Sequence, residues 1–155
     1  RIGLTSDVPD VDPLVAARGA YERTLARWGV PPDDLIVADG SGLSRYDYIT
    51  ADALVAVLRR MADPRDAAAF EATLPILGVD GTLASRLKGT RAEGRIRAKT
   101  GSMSNVRALA GYATTLAGER LAFAIVANNF KVRGSVIDVV TDRALMALVA
   151  RSPLP

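Results

Sequence analysis

Seven consecutive apolar residues, Leu121-Ala122-Phe123-Ala124-Ile125-Val126-Ala127, constrain this chain more than any other feature. A run of strand length without polar alternation is a strand shielded from water on both faces, so it demands a covering layer on each side. The turn Leu116-Ala117-Gly118-Glu119 precedes it. Residues 106–115 and 120–127 are therefore expected to pair as a hairpin, with residues 95–101 as a further strand. One cover is legible downstream. Val136, Ile137, Val140, Leu145, Leu148 and Val149 recur within a segment of about 135–150, which reads as a helix capped by Ser135 and packed on the sheet.

The upstream part reads as helices. Residues 1–12 hold Pro9, three Asp and no periodicity, and are expected to be an extended lead-in. Asp12 before Pro13 is a helix start, with Asp as the cap and Pro at the first helical position. Leu14, Ala17, Tyr21, Leu25 and Trp28 follow at helical spacing, with Tyr21 and Trp28 expected as core anchors and Gly29 as the stop. Pro31-Pro32-Asp33-Asp34 reads as a turn and residues 35–38 as a short buried strand. A loop of flexible and hydroxyl residues, 39–45, leads to a helix capped by Thr50 and running to about Met61. Further helical stretches are expected from Asp63-Pro64 to about Leu74 and over residues 82–88. Helices first, then an antiparallel sheet closed by a terminal helix, make the fold class α+β: residues 1–155 form one domain or part of a larger one.

Composition narrows the chemistry. The chain has 155 residues, of which 49% are hydrophobic and 24% charged, and a net charge of +3. That is globular rather than disordered, and long enough to bury roughly 70% of its unfolded surface. There is no Cys and no His. Zinc sites, thiol redox motifs, cysteine nucleophiles and imidazole-based triads are thereby excluded, and no metal or cofactor is expected. The 17 Arg and 3 Lys are interspersed among 17 acids, and the densest basic stretch, Arg86 to Lys99, holds no aromatic residue. Nucleic acid is therefore not the expected partner; the charge reads as a solvated basic face or, more sharply, as suited to a carboxylate-bearing substrate. No stretch approaches the ~18 apolar residues of a transmembrane segment. The chain starts with Arg and shows no signal segment, so it reads as a mature product or a fragment.

The strongest chemical signal is Lys99-Thr100-Gly101-Ser102 on the first predicted strand of the sheet. Lysine offers a compact positive charge for a carboxylate, and the Thr hydroxyl offers a directed donor. Gly lets a substrate backbone lie against the strand edge, and the next N–H, from Ser102, can meet a developing oxyanion. A Lys-Thr-Gly element of this kind occurs in the serine enzymes that recognise penicillin.

Other elements occur around it in a fixed order. Asp39-Gly40-Ser41-Gly42-Leu43-Ser44-Arg45, Asp80-Gly81-Thr82-Leu83, Arg86, Gly89-Thr90 and Gly94 precede Lys99, while Asn105-Val106, Ala110-Gly111-Tyr112 and Asn128-Asn129 follow it. From about Ala17 to Val149 the series resembles the C-terminal half of the class C low-molecular-mass penicillin-binding proteins, the D-alanyl-D-alanine carboxypeptidase/endopeptidase family of peptidoglycan maturation. The resemblance implies a transpeptidase-like domain and an acyl-enzyme mechanism on stem peptides, with penicillins acylating the same Ser. It implies that Lys99 and Thr100 clamp the terminal carboxylate, and that Gly101 and the Ser102 N–H form the wall and the oxyanion donor. It also places Ser41, Gly42, Leu43 and Arg45, with Met103 and Ser104, around the cavity for the rest of the peptide. Thr82, Arg86 and Thr90 are expected to hold loops together. The implied partners are peptidoglycan stem peptides, β-lactams and the upstream half of the same domain; the implied location is the periplasmic or extracellular face of the cell envelope.

Two family motifs are missing. No Ser-x-Asn occurs, since the residues two before Asn105, Asn128 and Asn129 are Met103, Val126 and Ala127. One literal Ser-x-x-Lys exists, Ser85-Arg86-Leu87-Lys88, but it lies only eleven residues before Lys99, where the resemblance places a loop rather than the upstream helix that carries the nucleophile. The expectation is a chain that supplies the Lys-Thr-Gly wall without the nucleophile and is inactive alone. The alternative is a non-catalytic module that binds peptidoglycan or a partner.

Overall fold

Asp12 opens the first helix as its position before proline dictates: its side chain accepts the Leu14 N–H at 2.8 Å, and helix α1 runs Pro13–Arg27. The structure, a computed structural model, describes residues 12–152, so the expected lead-in over residues 1–12 lies, but for its last residue, outside the described residues. The chain forms two compact units, the first ending at Val57 and the second beginning at Leu58.

In the first unit, Gly29 ends α1 with φ +84°. A 3₁₀ turn over Pro32–Asp34 leads to a two-stranded ribbon of β1 (Leu35–Ile36) and β2 (Tyr48–Ile49). Thr50 then caps helix α2 (Ala51–Met61) by accepting the Ala53 N–H at 3.0 Å. The core is small: Leu25, Val30 and Ala53 are buried, with Trp28, Leu35, Ala56 and Val57 packed against them. Two expectations fail here. Tyr21 is 48% exposed and Leu14 71% exposed, because only the last turn of α1 meets this core; Tyr21 is no anchor, whereas Trp28 packs as expected. The strand expected over residues 35–38 shrinks to two residues, and Ile36 faces solvent because its two-residue partner covers nothing more.

In the second unit, the helix expected from Asp63 to Leu74 contracts to α3 (Ala67–Glu71). The Asp63 carboxylate accepts the Arg65 N–H and binds its guanidinium, and this local turn replaces the first helical turn. The helix expected over residues 82–88 is likewise absent: a 3₁₀ turn over Gly81–Leu83 is followed by turns, and Leu87 takes φ +51°.

The expected sheet is present, shifted by a residue or two at the strand ends. Strands β3 (Ile96–Met103), β4 (Val106–Thr114) and β5 (Arg120–Asn128) pair antiparallel in the order β3-β4-β5. Gly118, at φ +85°, turns the β4–β5 hairpin, and Asn105, at φ +59°, turns β3 into β4. Helix α4 (Gly134–Ala150) starts one residue before the expected cap, so Ser135 is its second residue and no side chain caps it.

Alternation along the strands sorts the sheet into two faces. Ile96, Ala98, Leu109, Ala113 and Phe123 join Leu145 and Val149 of α4, with Leu77, Leu83 and Ala92, in the main core. On the opposite face Tyr112 packs with Leu58 and Leu74, and its hydroxyl donates to the Leu58 carbonyl at 2.6 Å. The apolar strand is thus covered on both faces at Ala122 and Phe123, but residues 124–127 are only half-buried. Val136, Val139 and Val140 stay exposed along α4, as an i, i+3, i+4 stripe.

Candidate functional site

β3 carries the candidate residues Lys99 to Ser102, and its pairing decides what each of them offers. Ile96 gives its carbonyl to the Leu77 N–H, and Ala98 gives its N–H to the Pro75 carbonyl, both on the side away from β4. In an antiparallel strand the outward-directed backbone groups recur every second residue. Thr100 and Ser102 therefore turn their N–H and C=O groups to the same outer edge, beyond the point where the 75–77 segment covers it. Lys99, Gly101 and Met103 bond inward to β4 opposite Ala110, Ala108 and Val106.

The side chains follow the complementary rule. Thr100 and Ser102 lie on the α4 face of the sheet, Lys99 on the other. Lys99 is exposed, and its Nζ donates to the Thr100 carbonyl at 2.6 Å, wrapping over the strand edge. No ion pair among the described residues includes it. The ammonium therefore reaches the edge without a carboxylate to neutralise it. The two side chains approach the edge from opposite faces of the sheet.

Thr100, Gly101 and Ser102 line a cavity of about 330 Å³ on the α4 face, together with Thr82, Arg86 and Arg107 and, from α4, Asp138, Thr141 and Asp142. The Thr100 hydroxyl donates to the Thr82 hydroxyl at 3.2 Å, so Thr82 reaches the site instead of only holding its loop. Arg86 is structural: it binds the Asp142 carboxylate through Nε and Nη2 and reaches the Asp138 carbonyl, tying the 81–90 segment to α4. Thr90 closes a turn by donating to the Leu87 carbonyl and accepting the Ala92 N–H. Met103 and Ser104 stand at the β3–β4 turn at the end of the same strand.

Ser41, Gly42, Leu43 and Arg45 belong to the first unit, on a loop organised by two aspartates. Asp39 accepts the Ser41 N–H at 2.8 Å, and Asp47 accepts the Ala38 N–H at 2.7 Å. Hydrogen bonds from the Ser41 hydroxyl and N–H, with a lesser one from Ser44, hold the Asp39 carboxyl below its ordinary value. All four of the loop residues are exposed.

Ser85 and Lys88 do not form a serine–lysine pair on a helix face, because the left-handed Leu87 stands between them and both are exposed in turns. Among the described residues no cluster of Asp or Glu could hold a metal ion. Sequence reasoning missed Arg107, whose signal was its position: directly opposite Ser102 in the register, hence on the same face.

The sequence pattern of the D-Ala-D-Ala carboxypeptidase 3 (S13) family matches residues 11–150. A D-alanyl-D-alanine carboxypeptidase of an Actinomadura species is 46% identical over 112 residues, covering 69% of this chain and 21% of that protein. The D-alanyl-D-alanine carboxypeptidase DacB of Haemophilus influenzae is 36% identical over 113 residues, covering 72% of this chain and 24% of its own length. The crystal structure of penicillin binding protein 4 from Haemophilus influenzae superposes with a TM-score of 0.78 at 29% identity, over 89% of this chain and 32% of that one. The chain thus spans about a fifth to a quarter of the length of these curated relatives.

Proposed function

Because the chain belongs to the D-Ala-D-Ala carboxypeptidase 3 (S13) family, we propose that it forms the Lys-Thr-Gly wall of a serine-type D-Ala-D-Ala carboxypeptidase/endopeptidase acting on peptidoglycan stem peptides. The observation that carries this reading is the outer edge of β3. At Thr100 and Ser102 the backbone groups face outward, an unneutralised ammonium folds over the edge, and two hydroxyls stand beside it. An extended peptide can align along such an edge by main-chain hydrogen bonds, its terminal carboxylate meeting Lys99 and the Thr100 hydroxyl.

In the reaction so assigned, a Ser hydroxyl supplied from outside these 155 residues adds to the penultimate D-Ala carbonyl. The Ser102 N–H donates to the resulting oxyanion. Collapse of the adduct breaks the peptide bond, forms the ester and releases the terminal D-Ala, whose amine takes up the proton. Water then hydrolyses the ester. A β-lactam carbonyl enters the same position, and Gly101 keeps the wall flat enough for the substrate backbone. Met103 and Ser104, at the end of the same strand, receive the upstream part of the stem peptide; in the first unit the exposed guanidinium of Arg45 suits an anionic group. The reaction belongs on the outer side of the cytoplasmic membrane, where peptidoglycan lies; no helix among the described residues is long and apolar enough to cross a membrane.

The test is calorimetric titration of the chain with a peptide ending in D-Ala-D-Ala. Saturable binding should weaken at least tenfold in Lys99→Ala and severalfold in Thr100→Val, with unchanged melting temperatures. Equal affinity of Lys99→Ala and the wild type, or no binding at all, would sink the reading.

A further inference from the structure

The outer face of α4 is apolar, cationic and exposed. Helical spacing places Val136, Val139, Val140, Arg143, Ala147 and Ala150 on one side of the helix, and all six are open to solvent. Val132, just before the helix, is exposed as well. No acid interrupts this face. The two acids of α4 lie on its inward side, where Asp142 is paired with Arg86 and Asp138 lines the cavity beneath the helix.

The charge around the stripe has one sign. Lys131 and Arg133 lead into α4 and Arg143 stands midway along it, all three exposed. None of the three belongs to an ion pair among the described residues. The second unit as a whole, from Leu58 onward, carries 15 Lys and Arg against 8 Asp and Glu. The stripe therefore lies on a unit with excess positive charge.

We infer that the outer face of α4 docks on the surface of an anionic lipid layer, with its valines among the headgroups and Lys131, Arg133 and Arg143 against their phosphates. Charge complementarity selects this occupant. A second copy is disfavoured, because antiparallel pairing of two α4 helices about the middle of the stripe sets Arg143 against its own counterpart. A convex face of Val and Ala also offers a protein partner no large side chain to seat in a pocket, whereas a fluid layer of headgroups conforms to it. The helix lies on such a layer and does not pass through it: its 17 residues span about 25 Å, and no helix among the described residues is long and apolar enough to cross a membrane. Each Lys or Arg at an anionic surface is worth about fivefold in partitioning, so the three together are worth roughly 100-fold at low salt. The inference goes beyond the proposed reaction and needs no peptide, since it concerns the side of α4 turned away from the sheet.

The experiment measures co-sedimentation of the chain with vesicles of phosphatidylcholine alone and with vesicles of equal parts phosphatidylcholine and phosphatidylglycerol. Wild type should bind the anionic vesicles at least tenfold more strongly, and added salt should weaken that binding. Arg143→Gln should lose about fivefold on the anionic vesicles. Val139→Ser combined with Val140→Ser should lose severalfold, and all these variants should melt like the wild type because the positions are exposed. Arg59→Gln removes an exposed cation of α2, whose neighbour Leu58 packs on the other face of the sheet, and should bind within about twofold of the wild type. Equal losses in Arg59→Gln and Arg143→Gln would reduce the effect to net charge and overturn the inference. So would full binding by the valine variant, which would leave the cations as a site for a soluble polyanion. Failure of the wild type to bind either vesicle would also overturn it, and a dimer in sedimentation analysis that the valine variant disrupts would assign the stripe to a second copy instead. The reading of the β3 edge survives each of these results.

Discussion

Adding one methyl group to either of two glycines that line the β3–β4 pair should separate the stability of the sheet from the function of its edge. Gly111 lies opposite Ala98 in the register. Arg97 and Lys99 carry the flanking ladder bonds, so Gly111–Ala98 is a non-hydrogen-bonded pair, where strands approach most closely. A Cβ at 111 would stand 2.6 Å from the Ala98 Cα and 2.8 Å from its Cβ, and closer still to the Arg97 carbonyl oxygen. Carbon atoms pack at about 3.5–4.0 Å, so Gly111→Ala requires the two backbones to part by roughly 1 Å. No rotamer can relieve that, because the obstacle is main chain. Overpacking of this severity costs about 1–3 kcal/mol, and stretching the two flanking hydrogen bonds adds about 0.5–1.5 kcal/mol each. A total of about 2–6 kcal/mol lowers the melting temperature of a domain this size by about 4–24 °C.

Gly101 is the control. A Cβ there meets only the Ala108 Cβ, at 3.3 Å, and needs only a few tenths of an ångström from a side chain. Gly101→Ala should therefore melt within about 3 °C of the wild type, because the cost stays below about 1 kcal/mol. If Gly101 forms the proposed wall, the variant's binding of a D-Ala-D-Ala peptide should nevertheless weaken severalfold, since the methyl group would enter the path proposed for the substrate backbone. Thermal unfolding followed by circular dichroism, with peptide titration of each variant, reads both quantities. A Gly111→Ala variant as stable as the wild type would refute the strand-separation argument. A Gly101→Ala variant with undiminished binding would refute the assignment of the wall.

Three further outcomes are expected. The Arg86–Asp142 pair, with side chains 17% and 26% exposed, should show a coupling of about 1–3 kcal/mol in a double-mutant cycle read by urea unfolding; additive single variants would mean that it does not tie the 81–90 segment to α4. Burial, and after it the Glu71 carboxylate, raises the Tyr112 hydroxyl above its ordinary value of 10.0. The stability this group contributes is therefore complete below pH 10 and lost as the pH rises beyond it, and Tyr112→Phe should flatten the alkaline slope while costing about 1–2 kcal/mol at neutral pH. Asp39 is depressed, so the order it lends the Ser41–Arg45 loop should persist above its ordinary value of 3.8 and fade as the pH falls further, with the Ser41 amide resonance reporting the change.

The readings that hold depend on interactions between residues close in sequence. Asp12-Pro13, Gly29, Thr50 and Gly118 each act within a few residues, and each stands where its backbone chemistry put it. Lys99-Thr100-Gly101-Ser102 was legible as a strand edge for the same reason. The failures arise where a competing local bond or a missing neighbour decides. Asp63 holds Arg65 and shortens α3; the left-handed Leu87 breaks the segment after Leu83; Tyr21 lies on a regular stripe whose upper half meets no core. Periodicity says which face could be buried, not whether anything covers it.

The site divides along the same line. Alternation along β3 alone separates Lys99 from Thr100 and Ser102, so the sequence contained the information that the ammonium and the hydroxyls approach the edge from opposite sides. The partner of that geometry was not readable in advance. Arg107 enters only through the register Ser102↔Arg107, which is set by the two-residue turn at Ser104-Asn105, and its orientation is set by Gly134, more than twenty residues downstream. A residue that no local motif marks can thus line the cavity, because a turn and a distant glycine jointly fix where its guanidinium lies.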